Sequence, residues 1–525
     1  MKSIRGAVIA AVAAGALVGS AQAQTYFPDD VQTSGCSIDR VEFDGWFADG
    51  AVVPNGVVRE ANSLNPGFAN AQENTSCDFY KWSAQMFLWI TSAYENAEEP
   101  APRRVLDSPL FFGVSADVDG RRTLLPNTEG LVLATRTEKT DGSRAFAEQI
   151  DELGQAGGAA VLESVKGSLV YYGVHVNNVY AAMADKAKTV PGFNPTRFPI
   201  SEEDLAAITG ETPLPAQDAL AMELKTSWVE ADTLGSTQGY VLIDAVIPNF
   251  VRERGAEVYR QDPKTPTRET RLALVGMHVV GSVAGHPELV WASFEHVDNA
   301  PDVAFDYVAD TGKVKTASPP PGSGWVFSAA AQAAPDANIE RQAQCTPGQF
   351  GYDCGDYPEP KPKPGDIVGL PGQTLGPSTV ARENPWGSVG SFAFGFAGIE
   401  NFQNDAAFDA TIAAAKQAVA ENNSEIIALN AGIRGLLDDA DVRRNYFLLG
   451  AVWTKTGAVP GGLDPVTQIG SLTMANATME TFHQDNPPGF PAGCFSCHGI
   501  AEGDTALGVS HIYSALTTVA ASGRN

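Results

Sequence analysis

Cys494-Phe495-Ser496-Cys497-His498 is the segment of this chain whose residue types and spacing most directly specify chemistry. Two thiols three positions apart can form thioethers with the two vinyl groups on one edge of a porphyrin. A histidine directly after the second thiol then falls under the ring centre, where its imidazole can take an axial position on iron. This is the pattern of a c-type haem attachment site. Two other chemistries use paired cysteines. A thioredoxin-like redox pair follows a strand and opens a long helix, whereas here a Pro/Gly-rich stretch from Asn486 to Gly493 precedes the motif and 27 residues follow His498. A zinc site needs a second Cys/His pair nearby, and none has suitable spacing. The segment therefore predicts one covalently attached haem c, on Cys494 and Cys497, with His498 as the proximal iron ligand.

The sixth iron position is open at this level. No methionine follows His498; Met474 and Met479 precede it by 24 and 19 residues, which is enough chain to fold back over a ring. His483 precedes the motif closely, His511 follows it by 13 residues, and His278 and His296 lie far upstream. Methionine ligation would raise the potential, a second histidine would lower it, and an open position would admit O₂ or peroxide.

The elements expected to position these residues change character along the chain. Phe79, Trp82, Met86 and Trp89 form a helical stripe, read as core. Between about residues 105 and 330 apolar runs read as strands at 169–176, 240–247, 272–280 and 289–296, joined by turns such as Asp141-Gly142, Ala284-Gly285-His286-Pro287 and Thr311-Gly312. Ser201 and Asp204 are spaced to cap a helix. Asp117-Val118-Asp119-Gly120 lacks the further ligands of a calcium loop and reads as a turn. Cys345 and Cys354 flank Pro347 and Gly348 and are expected to pair, leaving Cys36 for Cys77. A Pro-rich stretch, Tyr357 to Gly365, reads as a stiff connector.

Beyond residue 400 four helical segments are expected. Phe408 to Val419 forms the first, and Asn423-Ser424 ends it and caps the second, which carries Ile426 to Leu437. The third carries Val442, Tyr446, Leu449 and Trp453, and the fourth runs from about Ser471 to His483. The expected fold class is α+β. A signal peptide at 1–23 precedes a β-rich domain with helical insertions at 24–340. A disulfide-bearing connector at 341–378 leads to a small, mainly α-helical haem domain at 379–525.

Composition sets the remaining bounds. Met1-Lys2-Ser3-Ile4-Arg5, a short Gly/Ala-rich apolar run and Ala21-Gln22-Ala23 form the pattern of a cleaved export signal. Export to a periplasm or beyond is where haem c is attached and where disulfides persist. The chain holds 35 Lys and Arg against 62 Asp and Glu. Removing residues 1–23 takes away Lys2 and Arg5, leaving 33 against 62 and a net charge of −29. That surface repels nucleic acid and suits a basic redox partner protein. No later stretch is long and apolar enough to span a bilayer. Dinucleotide, Walker, His-Glu-x-x-His and Gly-x-Ser-x-Gly motifs are absent.

The blocks Trp82 to Trp89, Trp291 to Asn299 and Met474 to Phe482, followed by the 494–498 motif, form an ordered set that resembles exported bacterial proteins catalogued as cytochrome c family proteins. The resemblance implies haem attachment at Cys494 and Cys497 and axial ligation by His498. Its Thr478-Met479-Glu480-Thr481 and Phe294-Glu295-His296 blocks point to Met479 and His296 as candidates for the sixth ligand. The expected function is a periplasmic mono-haem cytochrome that passes single electrons. The alternative is a haem c-dependent oxidoreductase, peroxidase- or oxygenase-like, whose β-rich domain forms the substrate pocket.

Overall fold

The computed structural model describes residues 25–65, 76–94, 103–115, 121–127, 131–132, 160–252, 257–347, 352–357, 361–387, 406–455, 457–459, 468–484, 493–500, 504–513 and 515–516. The expected signal peptide, the turns at 117–120 and 141–142 and the Pro/Gly stretch at 486–492 lie outside the described residues.

The protein is a mixed α and β fold dominated by β-sheets. Its centre is a ten-stranded sheet built around five strands, β1 (Tyr171–Asn177), β2 (Met222–Glu230), β3 (Thr267–Val283), β4 (His286–His296) and β5 (Tyr446–Thr454). Across the sheet run Gln468–Gly470, β5, β4, β3, β2, β1, Phe111–Val114 and Leu124–Pro126. Leu242–Pro248 pairs with the first half of β3, and Leu131–Val132 lies parallel to it. The other pairings named are antiparallel, joined where turn chemistry allows: Gly285 takes φ 80° between β3 and β4. The strands expected near 169, 240, 272 and 289 are all present, as is the helix at Glu202–Thr209, where Ser201 accepts from the Asp204 N–H at 3.1 Å.

Register assigns two faces. Glu223, Lys225 and Ser227 of β2 stand beside Val280, His278 and Gly276 of β3, which stand beside Trp291, Ser293 and Glu295 of β4. Paired residues share a face. On the opposite face Phe294 stacks on Phe87 at 4.4 Å. Phe87 belongs to helix α1 (Ser76–Ile90), whose expected stripe of Phe79, Trp82, Met86 and Trp89 is fully buried. Cys36–Cys77 ties the N-terminal segment to that helix, and Cys345–Cys354 closes a satellite core with Val258 and Val368.

Downstream of residue 340 the structure departs from expectation. The connector at 341–378 contributes Gln342–Gln344 and Ile367–Gly369 to a four-stranded sheet with Phe250–Arg252 and Val258–Gln261. The first two expected helices are one, α2 (Ala406–Leu436). Asn423 and Ser424 do not stop it, because their side chains bond the backbone of the strand Phe305–Val308 instead: Asn423 Nδ2 donates to Asp306 O at 2.8 Å, and Ser424 Oγ accepts from Val308 N at 2.7 Å. The third expected helix is strand β5, buried at every position and hydrogen-bonded along β4. The fourth is a run of turns ending in a single 3₁₀ turn at Thr481–His483. There the Asn476 side chain accepts from Thr478 N at 2.9 Å and the Glu480 carboxylate accepts from Asn476 N at 2.9 Å, so side chains satisfy backbone that a helix would have used. The region expected as a separate helical domain thus supplies an interior strand of the main sheet.

Candidate functional site

The segments 471–484, 493–500 and 504–513 lie on the sheet face that carries Lys225, His278 and Trp291. Asn476 Nδ2 donates to Ser293 Oγ at 2.9 Å, Ala477 N to Glu295 Oε1 at 2.7 Å, and Thr478 Oγ1 and Ser227 Oγ are 2.7 Å apart. Tyr172 reaches Thr478 O at 2.7 Å. Such close approach needs a bare backbone beneath it. A Cβ on Gly276 would lie 2.6 Å from Thr478 Oγ1 and 2.7 Å from Ser227 Oγ.

The motif itself forms helix α3 (Cys494–His498). Spacings of three and four residues bring Cys494, Cys497 and His498 onto one side of it. Phe495 is fully buried and sets its ring edge-on to Trp291 at 6.0 Å, anchoring the turn to β4. The His498 imidazole is held between two rings, Trp291 at 4.2 Å and His511 at 4.3 Å. His498 Nδ1 lies 2.9 Å from Val509 O, the geometry of an Nδ1–H donated to a carbonyl, which leaves Nε2 as the lone-pair nitrogen. Burial, reinforced by neighbouring His511, pushes the His498 pKa down to about 3, so the ring is neutral, as a metal ligand must be. Burial and then the Glu480 charge push the Cys494 thiol up. Behind the ring, Ser510 Oγ donates to Glu223 Oε2 at 2.6 Å and meets Tyr180 Oη at 2.7 Å, pinning the loop that supplies Val509.

Neither Cys494 nor Cys497 is in a disulfide. Among the described residues, no group of three or more His, Cys, Asp or Glu side chains is arranged to hold a bare metal ion. The donor set at 494–498 does fit a c-type haem: two thiols and a neutral, oriented imidazole share one helical face.

The two sequence-level candidates for the sixth position sit elsewhere. His296 follows Glu295 and so points to the other sheet face, where it stacks on Tyr240 at 3.8 Å. Both its nitrogens are engaged, Nε2 with Gly239 O at 3.2 Å and Nδ1 with Asp298 N at 3.2 Å. Met479 is fully buried in a second apolar cluster with Val229, Val275 and Phe327, a cluster without any residue of the motif. Facing the motif instead are His278, one of the upstream histidines, together with Lys225 and Glu480, to which sequence alone gives no role. His278 Nε2 lies 3.0 Å from Glu480 Oε1, and Lys225 Nζ lies 3.9 Å from the same oxygen. Their signal was present: a lysine and a histidine interrupt the otherwise buried runs of β2 and β3.

No family model, curated protein or solved structure matches the chain. No described helix is long and apolar enough to cross a membrane.

Proposed function

We propose that this chain is an exported protein that carries one covalently attached haem c on Cys494 and Cys497, with His498 on the iron, and that it passes single electrons. The observation that carries the reading is the orientation of His498, whose Nδ1 is committed to Val509 O while its ring is fixed between Trp291 and His511. A haem bound there supplies a one-electron iron couple. Two free thiols and one neutral imidazole would hold it. The resemblance to cytochrome c family proteins and the export-type N-terminus support the same reading, and the excess of acidic residues suits a basic redox partner.

A second reading, a haem c-dependent oxidoreductase acting on peroxide, O₂ or an organic substrate, is favoured by the ionisable row Lys225–Glu480–His278 beside the motif. Expression with a periplasmic haem-attachment system tests the shared core of both. A denaturing gel stained for haem should show one covalent haem per chain, lost when Cys494 and Cys497 are both replaced by Ala. Haem staining that survives that double replacement overturns the attachment reading. Immediate CO binding by the ferrous protein would favour the oxidoreductase.

A further inference from the structure

If His498 holds a haem iron, the histidines the fold leaves facing the motif are the candidates for its other axial position. The chain has seven histidines. His296 is tied down on the far face of the sheet, and His175, paired with Leu224 in register, also lies on that face. His286 Nδ1 is bonded to buried Glu288 at 2.9 Å. His483 is exposed at the end of its 3₁₀ turn. His511 stacks nearly parallel on His498, with 19° between the planes, so it shares the proximal side. His278 remains.

His278 sits on the motif's face of the sheet. Its register partner on β4 is Ser293, two residues from Trp291, and diagonal neighbours on one sheet face stand about 7–8 Å apart at Cα. Trp291 in turn touches His498. Glu480 is fixed from a second direction by Asn476 N, and holds His278 through one ring nitrogen only. A carboxylate bonded to one imidazole nitrogen while the other faces a metal is the usual support of a metal-ligating histidine. His498 has the same design, with a carbonyl in place of the carboxylate.

We propose that His278 is the second axial ligand of the haem iron, bound through the ring nitrogen that Glu480 leaves open, and that Glu480 is its positioning residue. This rests on the haem reading above. A histidine pair saturates the iron, which fits electron transfer rather than O₂ or peroxide chemistry, and the anionic partner makes the imidazole a stronger donor, which lowers the potential.

The test uses the holoprotein and reads spin state, CO binding and midpoint potential. Wild-type ferric protein should be low-spin, and its ferrous form should not bind CO promptly. His278→Ala should become high-spin, bind CO at once, and return to low-spin when imidazole is added. His278→Met, which keeps a ligand in place, should stay six-coordinate with a raised potential and decides the matter if the alanine variant does not accumulate. Glu480→Gln should stay low-spin with a raised potential. A high-spin wild type, a His278→Ala variant that remains low-spin, or a His278→Met variant with an unchanged potential each overturn the assignment. Absence of covalent haem from the wild type instead overturns the haem reading itself.

Discussion

The docking of the motif-bearing segment onto the sheet turns on one glycine, and Gly276→Ala should break it. Gly276 lies in β3 with extended backbone, so alanine is conformationally acceptable there and any cost is steric. The new methyl would sit 2.6 Å from Thr478 Oγ1, 2.7 Å from Ser227 Oγ and 3.0 Å from Asn476 Oδ1, where ordinary contact begins at 3.4 Å. None of the three atoms can yield freely. Thr478 Oγ1 is bonded to Ser227 Oγ and to Asn476 Oδ1, each at 2.7 Å, and Asn476 is further held by Ser293. Overpacking a tight site costs about 1–3 kcal/mol, and each hydrogen bond given up adds about 1. A loss of about 2–4 kcal/mol is expected, read as a lower denaturant midpoint together with faster proteolysis after residue 470. Gly45→Ala is the control. It lies in the helix Arg40–Trp46 with nothing within 4 Å of the added Cβ, and should gain about 0.5–1 kcal/mol. Combining Gly276→Ala with Thr478→Ala should cost less than the two single losses summed, because the second removes the main obstacle. Wild-type stability in Gly276→Ala, or strict additivity in the double variant, would refute the close-packed interface.

Four further outcomes are expected. His296→Ala should leave the haem spectrum unchanged while destabilising the fold by about 2–4 kcal/mol, since it empties a buried stacking site on Tyr240, strips Asp298 N of its acceptor and leaves Gly239 O with Asn445 alone; calorimetry and optical spectra check both. Met479→Leu should also leave the spectrum unchanged and cost less than about 1.5 kcal/mol. Removing Cys36–Cys77, which spans 41 residues, should cost about 4 kcal/mol against about 2.5 for Cys345–Cys354, which spans 9, as measured by denaturation of Cys→Ala pairs. Burial raises the Glu223 carboxyl to about 7, only partly offset by the Ser510 hydroxyl, so the folded state keeps a proton that the unfolded chain releases near 4.5. That stabilisation is complete below about pH 4.5 and is lost as pH rises through 7; relative to Glu223→Gln, wild type should lose up to about 3 kcal/mol between about pH 5 and pH 8.

What the sequence disclosed follows from which signals are local. The Cys345–Cys354 disulfide, the α1 stripe and the central strands were legible because each is written in neighbouring residues, and Cys36–Cys77 followed from the cysteines left over. Errors gathered after residue 400, where tertiary partners override local pattern. Tyr446, Leu449 and Trp453 match a helical period, yet a strand buried on both faces shows no alternation to distinguish it. Asn423 and Ser424 look like a helix stop until a neighbouring strand takes their hydrogen bonds. The grouping beside the motif was not legible for the same reason: Lys225, His278 and Glu480 are up to 255 positions apart and come together only through the fold.

That register also bears on the length of the chain. A five-residue attachment motif needs few neighbours by itself, which leaves the long β-rich part without a task. Yet Trp291 fixes one side of the His498 ring, Glu223 pins the loop that orients it, and Ser227, Ser293 and Glu295 seat the segment leading into the motif. Those anchors come from β2 and β4, two strands apart, with β3 between them. A platform of this kind cannot be shortened to a hairpin, because its inner strands are buried on both faces and must be covered. Helix α1 covers the far face, and the motif-bearing segments cover the near one. The C-terminal segments and the sheet are therefore one folding unit, and a fragment containing only residues 379–525 should not fold or take up haem.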